Sequence, residues 1–203
     1  MDDEALLRAW ADGNDGAGEK LYRRHFDALY RFFRTKAPES CEDLIQTTML
    51  ECVRSKSNFR GDATFRAFLF GVARHCLWHY LRSQSRDRLE FDASRSSVAA
   101  CDPRPSTIAA RNAEHQRLFE AMRHIPVELQ VVLELHYWED MTTHELAVAL
   151  DLPQGTVKSR MRRAREALRE ILESPEFLTS TPVPSEDELA TRVRGLRTVL
   201  DAC

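Results

Sequence analysis

The sequence predicts an all-α protein: two small helical domains joined by a flexible linker, the second a helix-turn-helix, followed by a short C-terminal amphipathic helix. Three observations carry this. Apolar residues recur at three- and four-residue spacing over most of the 203 residues. No run of alternating apolar and polar residues is bounded by hairpin turns. Residues 142–169, TTHELAVALDLPQGTVKSRMRRAREALR, read as two helices around a tight turn, the second densely basic.

In chain order, Leu6, Leu7 and Trp10 begin one amphipathic helix. Leu21, Tyr22, Phe26, Leu29, Tyr30 and Phe33 give a longer one. After Pro38, Leu44, Ile45, Met49, Leu50 and Val53 form a third apolar face over residues 41–54, and Phe68, Leu69, Val72, Leu77, Trp78 and Leu81 a fourth over 65–81. Four faces that need one another for burial predict one bundle, here residues 1–84. Residues 85–109 lack periodicity and contain Pro103 and Pro105, which reads as a linker. Periodicity resumes near Ala110, breaks at Pro126 and continues through Leu129, Val132, Leu133, Leu135 and Tyr137, giving a second domain at 110–173.

Within it, Thr142 and Glu145 have capping-box spacing, and Leu146, Ala147 and Leu150 form a buried stripe. Asp151, Leu152 and Pro153 stop that helix, and Gly155 is expected to let the next one start close to its neighbour. Val157, Met161, Ala164 and Leu168 then repeat at i, i+4, i+7 and i+11, opposite Lys158, Ser159, Arg162 and Arg163. From Gln154 to Arg169 six cations face the single acid Glu166, in a chain whose net charge is −3. Such a local basic face favours a docked anion, and phosphate backbone is the natural one; a solvated helix face is the blander reading.

A second basic segment, Arg54 to Arg88, has eight Lys or Arg against Asp62 and Asp87. Phe59, Phe65, Trp78 and Tyr80 are interleaved with them as candidate stacking faces for unpaired bases, although aromatics on a helix stripe are more commonly core. His75, His79 and Arg82 are spaced i, i+4 and i+7 and so share one helix face. The tail at 174–203 has another capping box, Ser185 with Glu188, before Leu189, Val193, Leu196 and Leu200. With seven acids against three arginines from Glu170 onward, this helix either docks on the protein's own basic surfaces or is a plain packing helix.

Several classes are disfavoured. The acidic start and the lack of any run near the roughly 18 apolar residues of a membrane span predict a cytoplasmic protein without membrane insertion. Five scattered cysteines without a C-x-x-C pair predict no metal site. No Gly-rich phosphate loop, nucleophile elbow, H-E-x-x-H or paired-carboxylate arrangement is present, so no cofactor and no enzyme activity are expected.

The residues resemble a known family, the bacterial RNA polymerase sigma factors of the sigma-70 class, in the extracytoplasmic-function group. The likeness rests on LYRRHFDALYRFF, the run Asp43 to Gln46, NFRGDATFRAFLFGVARHCLWHYLR and IPVELQVVLELHYWEDMTTHELAVALDLPQGTVKSRMRRAREAL, in that order. It implies a first domain that binds core RNA polymerase and captures the melted downstream promoter element, and a second that reads the upstream element as duplex. By position it implies polymerase contact at Asp43, Leu44, Ile45 and Gln46. The downstream element would be met by Asn58, Phe59, Arg60, Thr64, Arg66, His75, His79 and Arg82, and the upstream element by Thr156, Lys158, Ser159, Arg160, Arg162 and Arg163. Promoter DNA, core polymerase and an anti-sigma factor are the implied partners. The family usually has Asn and Asp where this chain has His75 and His79, and an acid in place of Thr47, which sets its downstream preference apart. A stand-alone helix-turn-helix regulator, binding duplex DNA without polymerase, is the alternative.

Overall fold

The computed structural model describes residues 2–55, 64–84, 113–177 and 183–201, so the expected linker at 85–109 lies outside the described residues. Among the described residues every regular element is helical: α1 (Asp3–Ala11), α2 (Asp15–Arg34), a 3₁₀ turn (Pro38–Ser40), α3 (Cys41–Arg54), α4 (Phe65–Gln84), α5 (Ala113–His124), α6 (Val127–Tyr137), α7 (Thr143–Leu150), α8 (Gln154–Glu173) and α9 (Glu186–Asp201). They fall into two compact units, Met1–Arg88 with His144–Leu152, and Leu89–Thr143 with Pro153–Cys203.

In the first unit, local chemistry starts the helices. The Asp2 side chain accepts from the Ala5 amide at 2.7 Å, and Asn14 does the same for Ala17 at 3.1 Å, satisfying donors that a helix start leaves orphaned. Leu21, Leu29, Phe33, Ile45, Leu69, Phe70 and Leu77 form the core between α2, α3 and α4. The Phe32 ring meets Phe33 and Phe70 edge-on at 5.1 and 5.6 Å. α1 lies close on α2 because Gly18 has no side chain: a Cβ there would come within 2.5 Å of the Trp10 indole. Lys36 is buried without penalty, since its ammonium donates to the Phe32 carbonyl at 2.9 Å and Thr35 Oγ1 at 2.8 Å and sits over the Phe32 ring.

Residues His144–Leu152, with most of α7, group with the first unit. Gly71 of α4 makes that possible, as a Cβ there would lie 3.2 Å from the Ala149 carbonyl. Glu145 also accepts from Thr64 Oγ1 at 3.2 Å. The helix ends at Asp151, which takes the left-handed conformation at φ 52°, and the Leu152 amide reaches back to the Ala147 carbonyl at 2.9 Å. Gly155 does not serve close packing as expected: a Cβ there would meet open space.

The second unit is built around α6. Val131, Val132, Leu133 and Leu135 are fully buried, so α6 is covered on every side, by α5, α8 and α9. Its buried polar pair is joined internally, the Gln130 amide nitrogen donating to Glu134 Oε1 at 2.7 Å, while Gln130 Oε1 is buried without a hydrogen-bond partner among the described residues. Arg117 of α5 donates to the carbonyls of Leu172 and Phe177, at 3.0 and 2.7 Å, and so holds the end of α8. α9 starts with the capping box read from the sequence: the Ser185 amide donates to Glu188 Oε2 at 2.8 Å, and the Glu188 amide to Ser185 Oγ at 3.4 Å. Those bonds to the ionised carboxylate hold the Glu188 pKa below its ordinary value.

Candidate nucleic-acid interface

α8 is a 20-residue helix attached to its unit by a narrow seam, Val157, Met161, Ala164, Leu168 and Leu172, all buried. The remaining circumference is free to carry charge. Lys158, Ser159, Arg162 and Arg163 are exposed there, and Thr156 is half-buried at the helix start. Pro153 occupies the N-cap without a side-chain capping bond and the first turn holds no acid, so the positive end of the helix dipole is left for an external anion. Ser159 Oγ donates to the Thr156 carbonyl at 2.8 Å, and Arg162 pairs with Glu166 at 2.8 Å in an exposed i, i+4 contact that DNA can outcompete. Arg160 differs from its neighbours. Its guanidinium turns to Glu128 of α6 at 3.1 Å, where the two side chains are only 22 and 12% exposed. The structure therefore places Arg160 at the seam between α6 and α8.

α4 presents a second face. His75, His79 and Arg82 are exposed along one side, as their spacing requires, while Thr64 is exposed at its start and Arg66 half-buried. Thr64 Oγ1 accepts from the Ala67 amide at 3.3 Å. Arg74 lies over the half-exposed Trp78 ring at 5.7 Å. Phe65, offered by the sequence as a stacking face, is instead core: it is buried against the His25 ring, with centroids 5.4 Å apart. Asn58, Phe59 and Arg60 lie outside the described residues.

α3 divides the run Asp43 to Gln46 between two faces. Asp43 and Gln46 are exposed, whereas Leu44 and Ile45 are buried in the bundle. The sequence reading placed Leu50 on the apolar stripe, yet it is 52% exposed. With Gln46, Met49, Trp10 and Tyr22 it lines an open, largely apolar cleft of about 330 Å³. The signal was in the spacing: Leu50 is four residues from exposed Gln46, while the stripe runs through Leu44, Ile45, Thr48, Met49 and Cys52.

No group of three or more His, Cys, Asp or Glu converges as a metal site among the described residues. Burial pushes the Cys41 thiol up to about 12 and raises Cys52 and Cys76 as well, which favours the protonated thiol at all three. No helix among the described residues is long and apolar enough to cross a membrane.

Comparison with known proteins places both faces in matched regions. Residues 21–87 match the family model "Sigma-70 region 2", and residues 115–168 match "Sigma-70, region 4". The ECF RNA polymerase sigma-E factors of Salmonella typhimurium and Escherichia coli K12 are 28% identical to the chain over 177 residues, covering 83% of it and 93% of each relative. The ECF sigma factor SigE of Mycolicibacterium smegmatis is 28% identical over 173 residues, covering 84% of the chain and 64% of the relative. Among solved structures, CnrH in complex with the cytosolic domain of CnrY aligns with a TM-score of 0.60 at 24% identity, covering 85% of this chain and 98% of that one. RpoE in complex with the anti-sigma factor NepR, from Bartonella quintana, aligns at 0.58 and 20% identity, covering 77 and 97%. Those two likenesses speak for the fold.

Proposed function

The chain belongs to the sigma-70 family of RNA polymerase sigma factors, in its extracytoplasmic-function group, and on that premise we propose how its residues divide the work of a transcription initiation factor. A sigma factor binds core RNA polymerase and recognises promoter DNA. The observation that carries the present reading is the order of the two matched regions, each with an exposed reader face on a 20-residue helix.

In this reading the exposed residues of α3, Asp43 and Gln46, meet the polymerase, joined by Leu50 and the apolar cleft beside it; Leu44 and Ile45 act only by holding the helix in place. The stripe His75, His79 and Arg82, with residues 58–66, receives the melted downstream element as single strand. There the half-exposed Trp78 and Tyr80 offer stacking worth about 1–3 kcal/mol per base. The α8 stripe enters the major groove of the upstream element. Arg162 and Arg163 donate to base edges, a guanine being the best bidentate partner at about 1–3 kcal/mol of discrimination, and Lys158, Ser159 and the Thr156 amide hold phosphates. By function we propose domains at 1–84 and 110–173, joined by a linker at 85–109 and followed by a tail at 174–203. No catalytic role is assigned to any residue.

The two structural neighbours were solved with protein partners, CnrY and the anti-sigma factor NepR. We extend that to this chain as a partner that withholds it from polymerase until a signal arrives.

The test is reconstitution. Purified chain mixed with bacterial core polymerase should co-elute with it and form open complexes on a promoter library, while neither component does so alone. Specific duplex binding by the chain alone, without association with core polymerase, would make it a stand-alone regulator.

A further inference from the structure

The match to region 4 ends at residue 168, and α9 starts at Glu186, so α9 lies outside the part of the second unit held in common with the family. It is nevertheless built into that unit. Leu189, Val193, Leu196 and Leu200 are all buried, facing α5 and α6. Trp138, 1% exposed, donates its indole N–H to the Val193 carbonyl at 2.7 Å. The rim of the contact is bipolar. At its acidic start Glu186 pairs with Arg165 of α8 at 2.9 Å. Toward its other end Arg192 pairs with Glu114, Arg197 pairs with Asp140 at 3.2 Å, and Arg194 lies over the Tyr137 ring at 5.6 Å. Acid against the basic helix and arginine against acids allow α9 one orientation.

We propose that α9 is a cis-acting cover that restrains promoter binding while docked on the α5–α6 face. The inference rests on the assignment of α8 as the duplex-reading helix. Two features set α9 against DNA rather than with it. Its first turn holds Glu186, Asp187 and Glu188, of which Glu186 pairs with Arg165. Glu186 and Leu189 close a cleft of about 370 Å³ in which Arg162, Arg165 and Arg169 of α8 already alternate with Glu166, Glu170 and Glu173, so that Glu186 tips the balance there to acid. Carboxylates held there draw on cations that phosphate would otherwise meet, and they lower the local potential over a Debye length of about 8 Å. The ion pairs are also open to solvent, with Glu186 62% and Asp140 65% exposed, so they hold α9 reversibly and weaken with salt. An amphipathic helix docked in cis on a surface that the family-matched segment does not itself cover is a switch element, released when something else takes its seat.

The experiment compares the full chain with a chain ending at Phe177, each with core polymerase, in open-complex formation. Open-complex formation is measured on chains that keep all three tryptophans, and a parallel pair carrying Trp10→Phe and Trp78→Phe is used for fluorescence alone, so that emission reports Trp138. Truncation should raise open-complex formation about threefold or more and shift Trp138 emission to the red. A synthetic peptide of residues 183–203 added in trans should reverse both. Glu186→Lys in the full chain should raise activity while leaving the emission unshifted. A truncated chain that melts as cooperatively as the full one, with equal or lower activity, overturns the proposal. If truncation unfolds the second unit, Glu186→Lys decides, and unchanged activity overturns it. Should neither chain give polymerase-dependent complexes, the proposed function fails; α9 is then judged by duplex affinity, which must rise on truncation for the cover to stand.

Discussion

α4 and α8 are both 20-residue helices with an exposed reader stripe, and they are built in opposite ways. α4 buries Phe65, Ala67, Leu69, Phe70, Ala73, Cys76, Leu77 and Leu81, so it is a core element with a thin exposed strip of His75, His79 and Arg82, the strip proposed to meet DNA. α8 buries one residue per turn and exposes most of the rest. The difference fits what each is proposed to bind. A duplex offers regularly spaced phosphates to a free-standing basic helix, whereas unpaired bases are caught by stacking and need a rigid platform behind the aromatic rings. Fold stability and DNA recognition are therefore separable on α8 and entangled on α4.

The largest effect expected from this contrast is on stability. Leu77→Ala in α4, at a fully buried site, should cost about 2–5 kcal/mol and lower the melting temperature of the first unit while sparing the second. On α8, Arg162→Ala and Arg163→Ala should each cost about 1–3 kcal/mol of upstream-element recognition in promoter binding, with melting unchanged. Arg160→Ala breaks that pattern. Its loss should destabilise the second unit by about 1 kcal/mol through the pair with Glu128, and a double-mutant cycle with Glu128→Ala should recover the coupling.

The smallest effect is a pH dependence confined to the first unit. Burial lowers the His25 pKa below 6.5, outweighing the pull of Asp3, whose Oδ2 lies 2.8 Å from its Nε2. The unfolded chain then binds more protons than the folded one between the lowered value and 6.5. The stability tied to a neutral His25 is present above about pH 6.5 and falls as the pH drops below it. Denaturant melts between pH 5 and 7.5 should show that slope, and His25→Gln should flatten it.

Much of this contrast was legible in the sequence. The three- and four-residue periods located α2, α3 and α4, and the i, i+4, i+7, i+11 series in α8 and α9 named the buried residues of both seams. Prediction failed where direction within a helix mattered more than spacing along it. For Leu44 and Ile45 the spacing was right, since it put them on the apolar face where they are buried; it was the resemblance, which takes the contiguous run Asp43 to Gln46 as one contact, that ignored how four successive helical residues spread around the axis. Arg160 has the same charge as its neighbours, and only the position of Glu128 on α6 turns it inward. The turn before α8 was read at Asp151 to Pro153, and Asp151 supplies its left-handed backbone, a conformation that aspartate tolerates better than most residues; the close approach expected of Gly155 is what the structure lacks.

The division of labour between α4 and α8 is tested most directly by one measurement: open-complex formation by core polymerase on a promoter library randomised at both elements, with the wild-type chain, Arg163→Ala and the pair His75→Asn, His79→Asp. The account predicts that Arg163→Ala relaxes sequence preference only at the upstream element, and that the histidine pair shifts it only at the downstream one. A change at the opposite element, or the same change from both variants, would contradict it.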